Sequence, residues 1–375
     1  MRILAISFIP LFLFGITNQA NQGKNKKNQR DMHTVQEDGP YVLYKNDQVF
    51  VKYILNDHGR KLVMADSMAM SLKKSLSLNV ITDEPGKSFN VKLKKKLEEE
   101  KSEYKNVNKQ IAISDIEGSF GQFRKLLQAN KVIDANYNWT FGDGHLVLIG
   151  DFFDRGNQVT EVLWLIYSLE EKAKIAGGYV HFVLGNHEIM NMNGDVRYVH
   201  SKYKEIATLL GENYVDLYGN NSELGRWLRT KNIVEKVGDM LYVHGGISED
   251  VNKMKNSLAD INEMARPLYD DSSFNYKNKK LETIYGSFGP FWYRGYYSGD
   301  KIATMGQIDS TIKKFGINHI ATGHTVVGDT VSSWHGGKLF NTDVHHAKGH
   351  SEALLIDNGK FYRVNTMGEK FIIKE

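Results

Sequence analysis

The chain opens with an apolar run over residues 3–16 that is broken only by a serine, a proline and a glycine. Arg2 precedes the run and Ala20 stands at a suitable cleavage position, so the pattern predicts a signal peptide over residues 1–20. The run is shorter than the ~20 apolar residues of a membrane-spanning helix. The alternative is an N-terminal core helix or an uncleaved anchor. We expect an exported protein, periplasmic or secreted, without a stable membrane span after signal removal.

A polar stretch and a β-hairpin follow the apolar run. Residues 21–38 are rich in Asn, Gln and Lys and show no periodicity, which is typical of a disordered tether. Two runs rich in β-branched and aromatic residues, Tyr41–Tyr44 and Val49–Ile54, then flank an Asn-Asp turn. Such runs on either side of a short turn predict a β-hairpin.

Two more short strands are predicted near residues 76–81 and 89–93, on either side of a Pro-Gly turn. Residues 92–105 carry mixed charges, with Glu and Lys at helical spacings, which is typical of an exposed connector. These patterns together predict a small β-rich N-terminal module, with its charged connector, over residues 39–106.

The spacing of apolar residues changes from Lys109 onward, where short apolar runs alternate with segments of helical spacing. The first predicted elements are strands 110–114, 146–149 and 179–184 and helices 120–127 and 159–174. Strand-like runs dominate after Ile233, and they are too many for one parallel sheet. We therefore expect an α/β or α+β domain over residues 107–375, in which helices flank two packed sheets.

The composition is that of an ordinary globular protein, with 375 residues, 41% hydrophobic and 25% charged. It excludes disorder over the whole chain and the collagen, coiled-coil and disulfide-scaffold classes. The sequence contains no cysteine, which excludes disulfides, thiolate zinc sites and thiol nucleophiles. The formal net charge of +4 is too small to indicate nucleic-acid binding, and none is predicted.

Five short blocks carry side chains suited to binding metals or phosphate, and each block follows an apolar strand. They are Asp115-Ile-Glu117-Gly118, Gly150-Asp151-Phe-Phe-Asp154-Arg155-Gly156, Gly185-Asn186-His187-Glu188, His244-Gly245-Gly246 and Gly323-His324-Thr325. Ligands of α/β sheets bind beyond the carboxyl ends of strands, and a neighbouring glycine lets the backbone turn sharply close to an ion. One such block alone most often caps a helix or forms a turn, but five in order indicate a site.

The blocks resemble those of the calcineurin-like metallophosphoesterases. The runs Gly150–Gly156, Gly185–Glu188 and His244–Gly246 are similar to the phosphoprotein phosphatase branch of that family. Phe291–Arg294 and the Gly-His-Thr block are similar to its bacterial, Shewanella-like group. The resemblance covers about residues 109–364 and leaves out the N-terminal module. It implies a four-layer α-β-β-α sandwich of two mixed sheets.

The resemblance also implies a site for two metal ions that is bridged by Asp151. The other implied metal ligands are Asp115 and Glu117 for the first ion and Asn186, His244 and His324 for the second. Two cations ~3.5–4 Å apart neutralise a phosphoryl group and generate a hydroxide at neutral pH. Carboxylate, amide and imidazole donors suit Mn²⁺ first, and Fe, Zn²⁺ or Co²⁺ next, better than an all-oxygen Mg²⁺ site.

The remaining catalytic roles come from the same resemblance. His187 is expected to protonate the leaving alkoxide as general acid, and Asp154 to orient its imidazole. Arg155 and Arg294, together with Asn186, are expected to bind the phosphate oxygens, since guanidinium groups match phosphate in a two-point fork. The implied nucleophile is a metal-bridging hydroxide, so no phosphoenzyme is expected.

One residue departs from the family pattern, because Glu117 stands where the first block normally has His. The departure means either a lost site or a substituted metal ligand, and we favour the substitution because Glu binds the same ions. The extra carboxylate would make the bridging water less acidic and favour harder metals such as Mn²⁺ or ferric iron. Glu117→His is therefore expected to lower the pH that turnover requires.

Three further segments accompany the blocks. His345 and His346 follow Asp343 on a loop that is either an ordinary surface loop or a flank of the cleft. Residues 286–299 are rich in Gly and aromatic residues, which either pack in the core or line a substrate groove. Residues 249–301 around them are a candidate specificity insert.

These observations favour a binuclear metal-dependent phosphoric monoester hydrolase, similar to protein serine/threonine phosphatases, that acts on a phosphorylated protein or small molecule. A dinucleoside polyphosphate or other phosphoanhydride hydrolase carries similar blocks, although the Asp154-Arg155-Gly156 and His244-Gly-Gly forms favour the phosphatase. A third interpretation is a catalytically weak envelope phosphate-binding protein whose site is impaired by Glu117. Fold resemblance alone does not choose a substrate.

Overall fold

The computed structural model describes residues 34–273, 275–276, 278–299 and 301–374, so the predicted signal peptide lies outside the described residues. The strands are β1 (Thr34–Lys45), β2 (Gln48–Asp57), β3 (Arg60–Ala69), β4 (Ser77–Ile81), β5 (Ser88–Lys92), β6 (Glu103–Tyr104), β7 (Lys109–Ile113), β8 (His145–Ile149), β9 (Tyr179–Val183), β10 (Val234–Val237), β11 (Met240–Val243), β12 (His319–Thr322), β13 (Ser332–Trp334), β14 (Leu339–Asn341), β15 (Glu352–Asp357), β16 (Lys360–Asn365) and β17 (Lys370–Lys374). The helices are α1 (Phe120–Ala129), α2 (Val159–Ile175), α3 (Asn186–Asn193), α4 (Ser201–Leu210), α5 (Glu223–Leu228), α6 (Glu249–Lys253), α7 (Leu258–Ala265), α8 (Lys279–Tyr285) and α9 (Met305–Phe315). Within these residues no helix is long and apolar enough to cross a membrane.

The described chain opens with an antiparallel meander of β1, β2 and β3. Lys45 pairs with Gln48, which leaves the two-residue turn Asn46-Asp47 with φ angles of 49° and 58°. Positive φ at both positions is the hairpin geometry that Asn and Asp tolerate, so the predicted hairpin is confirmed. Strand β3 was not predicted, because its side chains are mostly exposed and give no period-two signal.

Strand β1 begins at Thr34, so the tether predicted to reach residue 38 ends earlier than expected. Asp38 is buried, pairs with Lys202 and accepts a hydrogen bond of 2.9 Å from the Tyr41 hydroxyl. A buried carboxylate needs such partners to offset the loss of its hydration. The same contacts tie the last residues of the predicted tether to the folded domain.

The rest of the N-terminal module contains the antiparallel pair β4 and β5, within one residue of the predicted strands. The connector after β5 contains no helix and ends in β6, which joins a sheet of the following domain beside β10. The Trp164 indole on α2 donates a hydrogen bond of 2.8 Å to the Pro40 carbonyl. The module therefore packs directly on the outer helix layer.

Two mixed six-stranded sheets form the centre of the remaining chain. The first has the order β17-β16-β15-β7-β8-β9, with β7, β8 and β9 parallel. The second has the order β13-β14-β12-β11-β10-β6. Their inner faces meet through fully buried side chains such as Val147, Tyr242 and Phe340, each of which contributes about 1.5–3 kcal/mol by burial. Helices cover the outer faces, so the predicted sandwich of two mixed sheets is confirmed.

Candidate active site

The five predicted blocks lie at one edge of the sandwich. Asp115, Asp151 and Asn186 follow β7, β8 and β9 of the first sheet, while His244 and His324 follow β11 and β12 of the second. Because the two sheets face each other, these loops converge on one cavity of about 610 Å³. The predicted site residues that line it are Asp115, Glu117, Asp151, Arg155, Asn186, His187, Arg294 and His324. The other two lie behind its wall, with His244 against Asp151 and Asp154 against His187.

The backbone of these loops is held in an unusual conformation. Six site residues other than glycine have a left-handed φ between 48° and 69°, namely Asp115, Glu117, Asp151, Asp154, Arg155 and His324. Each such residue costs about 1–3 kcal/mol and persists only where the surroundings enforce it. Strained positions of this kind cluster at functional sites, so the backbone itself marks this edge of the sandwich.

Glycines let the loops approach each other. A Cβ atom on Gly150 would lie 2.5 Å from the Gly185 nitrogen, and one on Gly185 would lie 2.3 Å from the Asp151 carboxylate. Gly150 also has a φ of 78°, which disfavours any other residue. The loops after β8 and β9 can therefore pack closely enough to place both blocks around one centre.

Asp151 occupies that centre. One of its carboxylate oxygens lies 3.0 Å from His244 Nε2, and the other accepts a hydrogen bond of 2.9 Å from the His187 amide. Its carboxylate belongs to two groups whose ligand atoms lie within 4.8 Å of one another: one with His244 and His324, the other with Glu117 and His187. Sharing one carboxylate between two such groups is the arrangement expected of a bridging ligand.

Two histidines are oriented by backbone carbonyls. His244 Nδ1 donates to the Ile149 carbonyl at 2.7 Å, which leaves Nε2 directed at the side-chain amide oxygen of Asn186, 3.0 Å away. His324 Nε2 lies 3.2 Å from the Trp292 carbonyl, which leaves Nδ1 for a ligand. A hydrogen bond of this kind on the far nitrogen is how proteins fix metal-binding imidazoles.

The ionisable groups at this centre influence one another strongly. Burial raises the pKa of Asp115 to about 6. Burial acts in the same direction on Asp151, but His244 and His187 hold its pKa below the ordinary value. Although burial opposes a charged His244, Asp151 raises the pKa of His244 to about 10. Burial, and then the neighbouring His244, depress the pKa of His324 well below its ordinary value. A cation bound at His244 Nε2 would replace this imidazolium proton among the carboxylates.

His187 and Asp154 form a buried pair. His187 Nδ1 lies 2.6 Å from an Asp154 oxygen, and Nε2 is 3.8 Å from Asp151, on the cavity side. Burial lowers the pKa of His187, but Asp151 and then the hydrogen bond to Asp154 outweigh burial and raise it. Asp154 thus fixes the ring so that Nε2 carries the exchangeable proton.

Both predicted arginines line the cavity and are held by protein groups. Arg155 forms an ion pair with Glu117. Arg294 donates to the His324 carbonyl and lies 3.4 Å from the Thr325 hydroxyl. Glu117, the residue that departs from the family pattern, therefore belongs to a candidate cation-binding group and also pairs with a candidate phosphate-binding arginine.

Glu188 has a role that was not predicted from the sequence, although it stands in the third block. It is fully buried, and its carboxylate accepts hydrogen bonds from the amides of Asp151, Phe152 and Gly185 at 2.9, 2.8 and 2.7 Å. Burial, and then the Asp151 charge, raise its pKa to about 7. Glu188 ties two site loops together. The sequence feature that could have indicated this role is the position of Glu188, one residue after His187.

The loop after β14 flanks the cleft. Asp343, His345 and His346 line the same cavity, so the interpretation as an ordinary surface loop is wrong. Asp343 is only 5% exposed, and burial, followed by the nearby Asp115 charge, raises its pKa well above the ordinary value. His346 is buried with Nδ1 3.0 Å from the Ser351 hydroxyl. Asp343 is thus a further carboxyl group at the site.

The aromatic segment at residues 286–299 mainly packs in the core. Phe291, Tyr293 and Tyr296 are at most 3% exposed, whereas Phe288 is 41% exposed. Trp292 reaches the site through its carbonyl, which faces His324 Nε2, and through its ring, which meets the His324 ring edge to face with centroids 5.8 Å apart. The role of residues 249–301 as a specificity insert stays a prediction.

Comparison with known proteins identifies this architecture. Residues 109–328 match the family described as calcineurin-like phosphoesterase. An uncharacterised protein of Schizosaccharomyces pombe is 30% identical over 226 residues, which cover 57% of this chain and 66% of that protein, just under two thirds. The Shewanella-like protein phosphatase 1 of Plasmodium berghei is 27% identical over 290 residues, 72% of this chain and 78% of that protein.

A solved structure extends the likeness beyond the family match. The cold-active protein-tyrosine phosphatase of a psychrophilic Shewanella species is 35% identical and has a TM-score of 0.80. The alignment covers 90% of this chain and 99% of that one. This share of the chain is larger than residues 109–328, which match the family.

Proposed function

Because the chain belongs to the calcineurin-like phosphoesterase family and to its Shewanella-like branch, we propose that it hydrolyses phosphate monoesters on proteins or peptides, with phosphotyrosine as the preferred group. The observation that carries the proposal is the convergence of the Asp151 centre, the His187–Asp154 pair and two arginines on one cavity. This combination provides phosphate binding and a proton donor at one place.

The choice of phosphotyrosine, rather than the phosphoserine or phosphothreonine suggested by the sequence, has two supports. The 35% identical solved relative is a protein named protein-tyrosine phosphatase. In addition, Tyr198 at the cleft is 45% exposed, and its ring lies 5.2 Å from the His187 ring. An exposed aromatic ring beside the proton donor suits stacking on an aromatic leaving group.

The residues at the centre fit a pair of metal ions, as the family implies. Asp115, Glu117 and Asp151 would supply carboxylates, and Asn186, His244 and His324 an amide oxygen and two imidazoles. The fit rests on the shared Asp151 carboxylate and on the carbonyls that orient both histidines. Bound cations would supply Lewis-acid neutralisation of phosphate and activation of water. This donor set, with the extra carboxylate of Glu117, favours Mn²⁺ or iron.

The side chains of the protein have separate roles in the reaction. Arg155 and Arg294 bind the phosphate oxygens, and Asn186 lies within the same cavity to contact them. His187 holds a proton at Nε2 and donates it to the leaving phenolate oxygen. Asp154 keeps that ring in the donating orientation. Because the pKa of His187 is raised, the ring is protonated over a wider range of pH than a free imidazole.

The test uses the purified, metal-supplemented chain with one peptide sequence that carries phosphotyrosine, phosphoserine or phosphothreonine. Diadenosine tetraphosphate and p-nitrophenyl phosphate complete the panel. We expect the phosphotyrosine peptide to give the highest kcat/KM, and Asp151→Asn to abolish turnover of every substrate. Preference for diadenosine tetraphosphate would refute the monoesterase proposal. Phosphate binding without turnover would instead support a binding protein.

A further inference from the structure

A second cavity, of about 740 Å³, lies where the N-terminal module meets helices α2 and α5. It is bounded by residues 92–98 of the connector, by residues 167–174 of α2 and by Trp227 at the end of α5. We call it the connector groove. It lies about 15–20 Å along α2 from the Asp154 loop, given a rise of about 1.5 Å per residue. An occupant of the groove would therefore leave the catalytic cavity open.

The floor of the groove is apolar and firmly held. The rings of Tyr167 and Trp227 meet edge to face with centroids 5.7 Å apart, and Leu93 and Leu97 lie over them from the connector. The Trp227 indole donates a hydrogen bond of 2.8 Å to Glu170, which prevents the ring from turning. Tyr167 and Trp227 are at most 1% exposed, so they form a rigid base beneath the groove, and the half-buried Leu97 is the apolar side chain that an occupant can contact.

The walls of the groove are strongly basic. Eight lysines and four glutamates line it, which gives the groove a net charge of +4. This equals the formal net charge of the entire chain. Most of the acidic charge is already paired within the wall. Glu170 lies 2.8 Å from Lys94 and 2.7 Å from Lys231, and Glu100 lies 2.8 Å from Lys231. The remaining positive charge is therefore available to an incoming anion.

Three exposed lysines at the rim carry this excess. Lys74, Lys92 and Lys95 form no salt bridge within 4 Å among the residues that the structure describes. Lys172 donates to the Tyr137 carbonyl at 2.6 Å and likewise has no carboxylate partner in the described chain. The four ammonium groups stand on different elements, so they present separated positive charges.

The connector also offers backbone groups for pairing. In the described part of the chain, the amides of residues 95–99 donate no hydrogen bond, whereas the Lys94 amide donates to the Tyr167 hydroxyl and the Glu100 amide to the Thr230 carbonyl. The segment is irregular and bends at Lys95, and its free amides can donate hydrogen bonds to a peptide that lies along it.

We propose that the connector groove binds an extended acidic peptide segment of a partner protein. Its carboxylates would meet Lys74, Lys92 and Lys95, its backbone would follow the connector, and one apolar side chain would lie against the half-buried Leu97. A compact phosphate fits less well, because the cations are separated lysines rather than a guanidinium fork.

The test measures binding of a fluorescein-labelled peptide of eight glutamates around one central phenylalanine to the full chain at low salt. The variant Lys74→Gln/Lys92→Gln/Lys95→Gln is expected to bind about tenfold more weakly, since three exposed charge pairs are lost. The matched control is Lys45→Gln/Lys255→Gln/Lys360→Gln, which removes the same charge from exposed positions elsewhere. The control is expected to bind within about twofold of the parent chain.

Three outcomes would overturn the proposal. The first is equal weakening in both triple variants, which would mean that net charge alone attracts the peptide. The second is equal binding of the peptide in which every glutamate is replaced by glutamine. The third is binding only to anionic phospholipid vesicles, which would assign the surface to a membrane. Turnover of p-nitrophenyl phosphate by the triple variant checks that the fold is intact, and the proposal stands or falls independently of the phosphatase substrate.

Discussion

Glu161→Gln is expected to stabilise the protein in alkaline solution and to leave its stability nearly unchanged in acid. Glu161 lies in the first turn of α2, is 3% exposed, and has one carboxyl oxygen without a hydrogen-bond partner among the described residues. The nearby Asp38 adds a second negative charge that Lys202 offsets only in part. Burial first, and then Asp38, raise the pKa of Glu161 to about 8.

The magnitude follows from proton linkage. The ordinary pKa of this carboxyl is 4.5, so between pH 4.5 and 8 the unfolded chain releases the proton while the folded chain keeps it. The unfolded state then binds fewer protons, and the free energy of unfolding falls as the pH rises. One pKa unit corresponds to about 1.4 kcal/mol, so the full difference amounts to at most about 5 kcal/mol at pH 8 and above. Glutamine has no such proton to lose.

Urea unfolding followed by tryptophan fluorescence at pH 5.0 and pH 8.5 measures the effect. The Glu161→Gln variant should gain several kcal/mol over the parent at pH 8.5 and less than about 1 kcal/mol at pH 5.0. Glu171→Gln, an exposed position on the same helix, is the matched control and should change neither value. An equal gain at both pH values, or no gain at pH 8.5, would refute a protonated Glu161 in the folded state.

Two further predictions concern the active site. Asp154→Asn should lower kcat for p-nitrophenyl phosphate by about 10–100-fold with little change in KM. Because Asp154 helps to raise the pKa of His187, the alkaline limb of the kcat profile should also move to lower pH, and an unmoved limb would contradict the positioning role. Glu117→His should move the pH optimum downward and weaken the preference for Mn²⁺ or iron, as measured by activity across pH and by metal content after dialysis. An unchanged profile together with unchanged metal content would refute that reasoning.

The position of the site could be predicted because its signals are local in the sequence. Each block combines an apolar strand with a glycine and a polar side chain within a few residues, as in Gly150-Asp151 or Gly185-Asn186. The carboxyl ends of neighbouring parallel strands meet at one edge whatever the rest of the chain does. The location of the candidate site at one edge of the sandwich therefore follows from patterns that span fewer than about ten residues.

The features that were missed depend on contacts between distant segments. Asp343 becomes a site residue only because β14 lies beside β12, and a lone Asp after a short strand gives no signal of that neighbourhood. Asp38 was assigned to a tether because its partner Lys202 is far away in the sequence. Strand β3 is an exposed edge strand and lacks the alternation that marks a half-buried one.

The strained loops and Glu188 are two parts of one arrangement. Asp151 and Asp115 point into the cavity because their backbone is left-handed, a conformation that a free chain would avoid. The strain can persist only if other interactions fix the loops, and the Glu188 carboxylate does so by accepting three amides from the segments after β8 and β9. These hydrogen bonds are buried, where they are stronger than in water. Contacts within the protein therefore fix the site loops, and residues that never touch the substrate determine how well the site is formed.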